Sequence, residues 1–341
     1  MLKGLEFARA AQAIAVAGKG EAEDWAANRW GRESKAYAVT KSAVVANSTG
    51  TQTALFGDYR AAAADFLELV RNESIIGRLP GLRRIPERIP YLKQTGSVSA
   101  SWVGEGLPAP IANGSYQRGT IELEKLVALT VSTKELLNEP DSDRLLRDDL
   151  LTVCVEALDS AFIDPTNSGT TDIKPASVTN GLTALTATGT TKTDLEAMVS
   201  GFGGDLSRAV FIGKPQLFVQ LNGAAYPNIG ARGGELAGIP AIASNGLPND
   251  ATGDYQLALV DPAAIAYAGM DTAEIKVSEQ GTIQMDTAPT QDATDGTGAN
   301  LVSLWQSGGV AIMAMIEANW ELRRADSLII MDGFVGEESV S

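Results

Sequence analysis

Two stretches in the first half of the chain alternate apolar and polar residues with the period of two that a strand requires. In SVSASWV (97–103) Val98, Ala100 and Trp102 alternate with Ser97, Ser99 and Ser101. In TIELEKLVALTVST (120–133) Ile121, Leu123, Val127, Leu129 and Val131 alternate with mostly polar neighbours. At ~3.3 Å per residue the second run predicts a strand of roughly 35 to 40 Å, long enough to leave its parent domain. Between the runs lies SWVGEGLPAP (101–110). Its Gly-Glu-Gly suggests a phosphate-cradling turn, but Pro108 and Pro110 follow at once, so no helix can start there and aim its N-terminus at an anion. The segment reads as a loop at the end of two strands, whose Trp102 and Leu107 need something to pack against.

Helical periodicity is strongest in DSDRLLRDDLLTVCVEALDSAFI (141–163), where Leu146, Leu150, Val153, Ala157 and Ala161 recur on one face. Acidic residues in its first turn complement the helix dipole, and DPTNSGTTD then ends it. A second helix is predicted over 58–71, with Asp58 as a candidate N-cap and Phe66, Leu67 and Val70 on one face. From 75 to 94, Pro80, Pro86 and Pro90 predict an extended segment or edge strand instead of a helix. Residues 1–50, Ala-rich with Trp25 and Trp30, read as short amphipathic helices without a core of their own. Composition leaves open whether such an arm docks on its own domain or reaches another chain.

A Thr/Gly/Ala-rich stretch at 175–193 marks a boundary, beyond which a mixed pattern predicts a second domain. It holds a helix from 193, strand AVFIG (209–213), helix PQLFVQL, and strands around GIPAIAS, YQLALVD and AEIKVSE. After a polar loop at 286–299 two more strands follow, the first alternating Val310, Ile312, Ala314 and Ile316. Their apolar faces are expected to pack on the 141–163 helix, so that the chain's two ends close the first domain.

Length and composition narrow the function. The chain has 341 residues, enough for one large or two ordinary domains, with 44% hydrophobic content. Its net charge of −15 opposes any uniform grip on nucleic acid or anionic lipid. The single cysteine, Cys154, excludes an internal disulfide framework and a cysteine-built metal site, and suits a reducing compartment. Placed inside a predicted helix beside Val153 and Val155, it reads as a small buried hydrophobe. Neither an export signal nor a membrane-spanning run is evident. With no histidine in the sequence, the usual neutral-pH base, the imidazole-dependent triads and the commonest metal ligand are all missing.

No cofactor, metal or catalytic set emerges from the remaining motifs. GFGGDLS (201–207) has Leu206 where a dinucleotide fingerprint needs its third glycine, and IGKPQ has proline where a phosphate loop needs Ser or Thr. The aspartates of DATGD and DATDG lack the spacing of an EF-hand loop. Asp148 and Asp149 are adjacent on a helix and point apart. The main basic cluster is Arg71, Arg78, Arg83, Arg84 and Arg88, with only Tyr91 nearby as a stacking platform. Against the acidic excess elsewhere, pairing with Asp and Glu of another surface is the expected use of these arginines, and of Arg323 and Arg324, with simple solvation as the alternative.

In order and combination, FLELVRNESIIGRLPGLRRIP (66–86), SWVGEG (101–106), LVALTVSTKELLNE (126–139), RDDLLTVCVEALDSAFIDP (147–165) and LWQSGGVAIMAMIEANWELRRADSLII (304–330) resemble tailed-phage major capsid proteins of the Hong Kong 97 fold. The resemblance covers roughly residues 55–333. It implies an α+β fold with an N-terminal arm (1–60) and a peripheral domain (61–180). That domain carries an extended hairpin, the E-loop, at about 94–126 and a spine helix at 141–163, and is followed by an axial domain (181–290) and closing peripheral strands (291–341). It further implies that Trp102, Glu105 and Leu107 on the hairpin, with the arginines Arg78, Arg83, Arg84, Arg88, Arg323 and Arg324, contact neighbouring subunits. Implied partners are copies of the chain in hexamers and pentamers, a portal protein, a possible scaffold, a maturation protease and a decoration protein. Double-stranded DNA would be enclosed without specific binding, in a virion capsid assembled in the host cytoplasm.

Two departures qualify the resemblance. Some members weld subunits through a hairpin lysine, whereas residues 94–124 here contain none, only Lys93 and Lys125 flanking them; a noncovalent shell is expected. The first 50-odd residues are also short for the long scaffolding segment of many members. Two other readings stand beside the phage shell: an encapsulin-type compartment that takes cargo protein, and a cytoplasmic α/β enzyme with its site in residues 180–290, which the missing histidine weighs against.

Overall fold

The computed structural model describes residues 4–40, 64–94, 101–104, 111, 115–279, 281–284 and 301–334. They group into two units, one of residues 1–70, 126–154 and 270–316, the other of residues 71–125, 155–269 and 317–341.

In the first unit the Ala-rich arm forms one helix, Leu5–Trp30, where short helices were expected, followed by a turn of helix at Lys35–Thr40. Alanine has the highest helix propensity, and here it also lets neighbouring backbones approach. Ala13, Ala22 and Ala26 are fully buried against Trp25, Trp30 and Tyr37. Gly31, at φ 87°, ends the helix and returns its N–H to the Ala27 carbonyl. These residues dock on their own unit. Phe7 stacks on Phe66 at 4.7 Å, and Arg9 bridges Glu6 at 3.0 Å and Asp143 at 2.9 Å. Gln12 reaches the Leu137 carbonyl and, at 2.6 Å, the Ser142 hydroxyl. Phe66, Leu67 and Val70 are buried in the helix described over 64–73, while Asp58 lies outside the described residues.

The long helix runs Ser142–Ile163, within a residue of its predicted start. Leu146, Leu150, Cys154, Leu158 and Ala161 are among its buried positions, whereas Val153, expected in the core, is half exposed at 52%. Asn167 closes the last turn by donating to the Ala161 carbonyl at 2.8 Å and to that of Pro175 at 2.9 Å.

In the second unit a seven-stranded sheet takes the order Leu185–Thr186, Leu328–Phe334, Tyr255–Val260, Val210–Gly213, Ile239–Ala243, Gly233–Leu236, Ile229–Gly230. Val210–Gly213 is buried at every residue, as a central strand covered on both faces requires. Helices Thr191–Gly201 and Pro215–Leu221 supply Leu195, Met198, Leu217 and Phe218 to a core shared with Phe211, Leu257, Met331 and Phe334. The helices and strands expected over 209–260 are present, with two corrections: AEIKVSE belongs to Ile265–Ser278 of another sheet, and a closing strand enters this one. Leu328–Phe334 pairs antiparallel with Tyr255–Val260, so this closing strand completes the seven-stranded sheet, where packing on the long helix was expected.

A four-stranded sheet has the order Arg83–Arg84, Ile265–Ser278, Gly309–Leu322, Glu124–Thr133. The alternating Val310, Ile312, Ala314 and Ile316 are all buried in it. The 120–133 run is corrected too, since its strand is Glu124–Thr133, at the edge of this sheet. The hairpin is instead built from Tyr91–Gln94 and Tyr116–Gly119. In the SVSASWV run, 97–100 lie outside the described residues and 101–103 form no strand. The 75–94 segment opens with a helical turn, Ile75–Arg78, that ends before Pro80, and only then becomes extended at the edge strand Arg83–Arg84.

Candidate inter-subunit surfaces

The hairpin base is anchored by Tyr91. Its residue lies opposite Gly119 in the antiparallel register, where a Cβ would come within 3.1 Å of the tyrosine ring. The missing side chain lets that ring settle against Ile85, Ile121, Ala266 and Ala268. The phenol donates a short hydrogen bond to the Glu321 carboxylate. Burial, and then that carboxylate, push the phenol well above the ordinary tyrosine range.

Beyond this anchor the apolar side chains are bare. Trp102 is 105% exposed and Ile111 is 90% exposed, and Leu92, Val103 and Tyr116 are exposed as well. Burying an aromatic of this size removes ~150–250 Å² from water, worth roughly 4–6 kcal/mol before ordering costs. Such a residue on an exposed segment has the character of an interface anchor. Glu105 and Leu107, singled out with Trp102, lie outside the described residues.

The arginines divide. Arg78 donates from Nη1 to the Ala243 carbonyl at 2.7 Å. Arg324 donates to Asp261 Oδ2 at 3.2 Å, a fully buried carboxylate that also lies 3.7 Å from Arg208. These two are engaged internally. Arg83 and Arg84 lie exposed on the edge strand, paired in parallel with Ala266 and Tyr267. Arg88 is exposed at φ 56°, and its N–H donates to the Ile121 carbonyl at 3.1 Å. Arg323 donates its backbone N–H to Ala264 at 2.8 Å, while its side-chain Nε is buried with no acceptor. Desolvation, and then the neighbouring Arg83, lower the Arg323 pKa.

Sequence reasoning missed a buried carboxylate, Asp159, on the long helix. It is 4% exposed. Its Oδ1 accepts the backbone N–H of Ile75 at 2.7 Å, and its Oδ2 accepts the Ser244 hydroxyl at 2.6 Å. Burial pushes its pKa up to about 6, against these hydrogen bonds and the facing Arg78. Gly246 passes so close that a Cβ there would fall 2.6 Å from the Asp159 backbone. The surrounding cleft, of about 350 Å³, is lined by Glu73, Arg78, Glu156, Ser160 and Asn245 among others. A signal was present, because Asp159 follows Leu158 and precedes Phe162 and Ile163 on the buried side of the helix. Among the other motifs, GFGGDLS is a loop in which Asp205 Oδ1 accepts from the backbone and hydroxyl of Ser207. In DATGD, Asp250 accepts from Thr252 and Asp254.

The sequence matches the Phage capsid family over residues 59–333. It is 33% identical over 319 residues to a capsid polyprotein of Pseudomonas phage PAJU2, a match that covers 86% of this chain and 47% of that protein. The chain thus spans about half the length of that relative. It is 24% identical over 276 residues to a probable major capsid protein of Mycobacterium phage D29, covering 73% of this chain and 80% of that one. Among solved structures it resembles the capsid of an empty GTA particle, with a TM-score of 0.52 at 14% identity over 77% of this chain and 90% of that one. With the match over residues 59–333, the chain belongs to the phage capsid family and has its Hong Kong 97-type fold.

Proposed function

We propose that the chain is a major capsid protein whose copies form the hexamers and pentamers of an icosahedral phage head around double-stranded DNA. The observation that carries this reading is a fully exposed Trp102 in the segment between two paired strands anchored at Tyr91, in a chain of the phage capsid family. An isolated two-stranded hairpin is marginal in water, so its exposed apolar residues gain burial from a neighbouring copy. On this reading residues 1–60 act as the arm, 61–180 and 291–341 as the peripheral domain, and 181–290 as the axial domain.

The role is structural, without catalysis. A net charge of −15 suits a container past which packaged DNA slides without sticking. Portal, scaffold, maturation protease and decoration protein are its proposed partners, and assembly takes place in the host cytoplasm. Negative-stain microscopy of the expressed chain tests the reading. Hollow particles, or rings of five and six, are expected, and a monomer that persists when a scaffold is co-expressed contradicts it.

A further inference from the structure

Two arginine-bearing segments far apart in sequence flank the same short stretch of backbone. Arg83 lies opposite Ala266 in the parallel pairing of the edge strand, and Arg323 donates its N–H to the Ala264 carbonyl. The buried Asp261 is held by Arg324 and Arg208 and accepts the N–H of Ala263 at 3.0 Å. Glu321, which accepts from the neutral Tyr91 phenol, is the one carboxylate among the described residues that acts on Arg323, and it does so against two neighbouring arginines. Among the described residues neither Arg83 nor Arg323 has an ion pair, and the Nε of Arg323 is shielded from water without an acceptor. Two cations that flank one strand in this way, one of them with a desolvated donor, leave an arrangement that an incoming anion would relieve.

We infer that Arg83 and Arg323 form a docking site for the carboxylates of a second copy of this chain, an inference that rests on the shell reading. Charge favours this occupant. The chain has 42 acidic residues against 27 basic ones, so any second copy presents carboxylates in excess. A nucleic acid would meet that same excess as repulsion, and the one aromatic ring at the site, Tyr91, is packed inward and bonded to Glu321. A bidentate guanidinium–carboxylate contact supplies direction as well as attraction, which fixes the register between copies.

The test compares wild type with R83E/R323E and R83K/R323K, each as a mixture of isotopically light and heavy chains. At low salt the reversed pair is expected to lower particle yield at least tenfold while circular dichroism shows an unchanged fold. If the reversal unfolds the chain, R83Q/R323Q carries the same comparison. In R83K/R323K particles, carbodiimide should link position 83 or 323 to an Asp or Glu of the opposite isotope. Wild-type yield from R83E/R323E, or links confined to one chain, overturns the inference. Intact particles that only lose retained DNA would assign the site to phosphate instead. If wild type forms no particles even with a co-expressed scaffold, the shell reading falls, and the absence of light–heavy links at high protein concentration then overturns the docking site as well.

Discussion

Asp159 and Ile75 stand 84 positions apart, and the carboxylate of the one accepts the backbone N–H of the other at 2.7 Å, deep in the second unit. That bond satisfies an N–H that the first turn of Ile75–Arg78 leaves without a helical partner, and the second carboxylate oxygen ties in Ser244. It is made at the cost of burying a charge.

Stability should therefore depend on pH through Asp159. Its folded pKa, about 6, lies above the ordinary 3.8, so between these values the folded chain holds a proton that the unfolded chain releases. Stability then falls as pH rises through that window. At about 1.4 kcal/mol per unit, the whole effect is roughly 2–3 kcal/mol. D159N, uncharged throughout, is expected to flatten the slope of Tm between pH 4 and 6.5 in the unassembled chain. Parallel curves for the two proteins would show that Asp159 is not the group responsible.

Trp102→Ala should separate folding from assembly. The side chain is fully exposed, so its loss should change monomer stability by no more than about 0.5 kcal/mol. Assembly should drop sharply, read as particle yield by light scattering. Normal yield would remove Trp102 from the interface.

Cys154 should be inert until the chain unfolds. It is 1% exposed, and burial pushes its thiol up to about 11, which leaves little thiolate at neutral pH. A thiol reagent at pH 8 should react at the rate of unfolding, and with one equivalent at once in denaturant. Prompt labelling of the folded chain would contradict the placement.

Particles should fall apart to single chains on denaturing gels, because residues 94–124 hold no lysine to weld the hairpin to a neighbour. A ladder of covalently linked chains would refute the noncovalent shell.

Legibility in the sequence followed physical locality. The long helix could be read because burial decides one face of its pattern, and Val210–Gly213 because it is apolar and buried throughout. The arm was divided into short helices because Gly18 and Gly20 interrupt it, yet the packing of its alanines carries the helix through to Trp30. Apolar alternation over 120–133 could not show that the chain leaves the hairpin at Gly119 and enters another sheet at Glu124, since a period of two is the same in both. That Arg83 and Arg323 flank the same strand was beyond reach for a related reason, since only the pairing of Ile265–Ser278 with its neighbours on either side brings the two segments to it.

The most direct test of the central claim is the molar mass of the purified chain by light scattering after size exclusion, with microscopy of the same fractions. The shell reading predicts megadalton hollow particles, or rings of five and six copies, that grow with protein concentration. A monodisperse monomer of 35.7 kDa at every concentration, with and without a co-expressed scaffold, would contradict it.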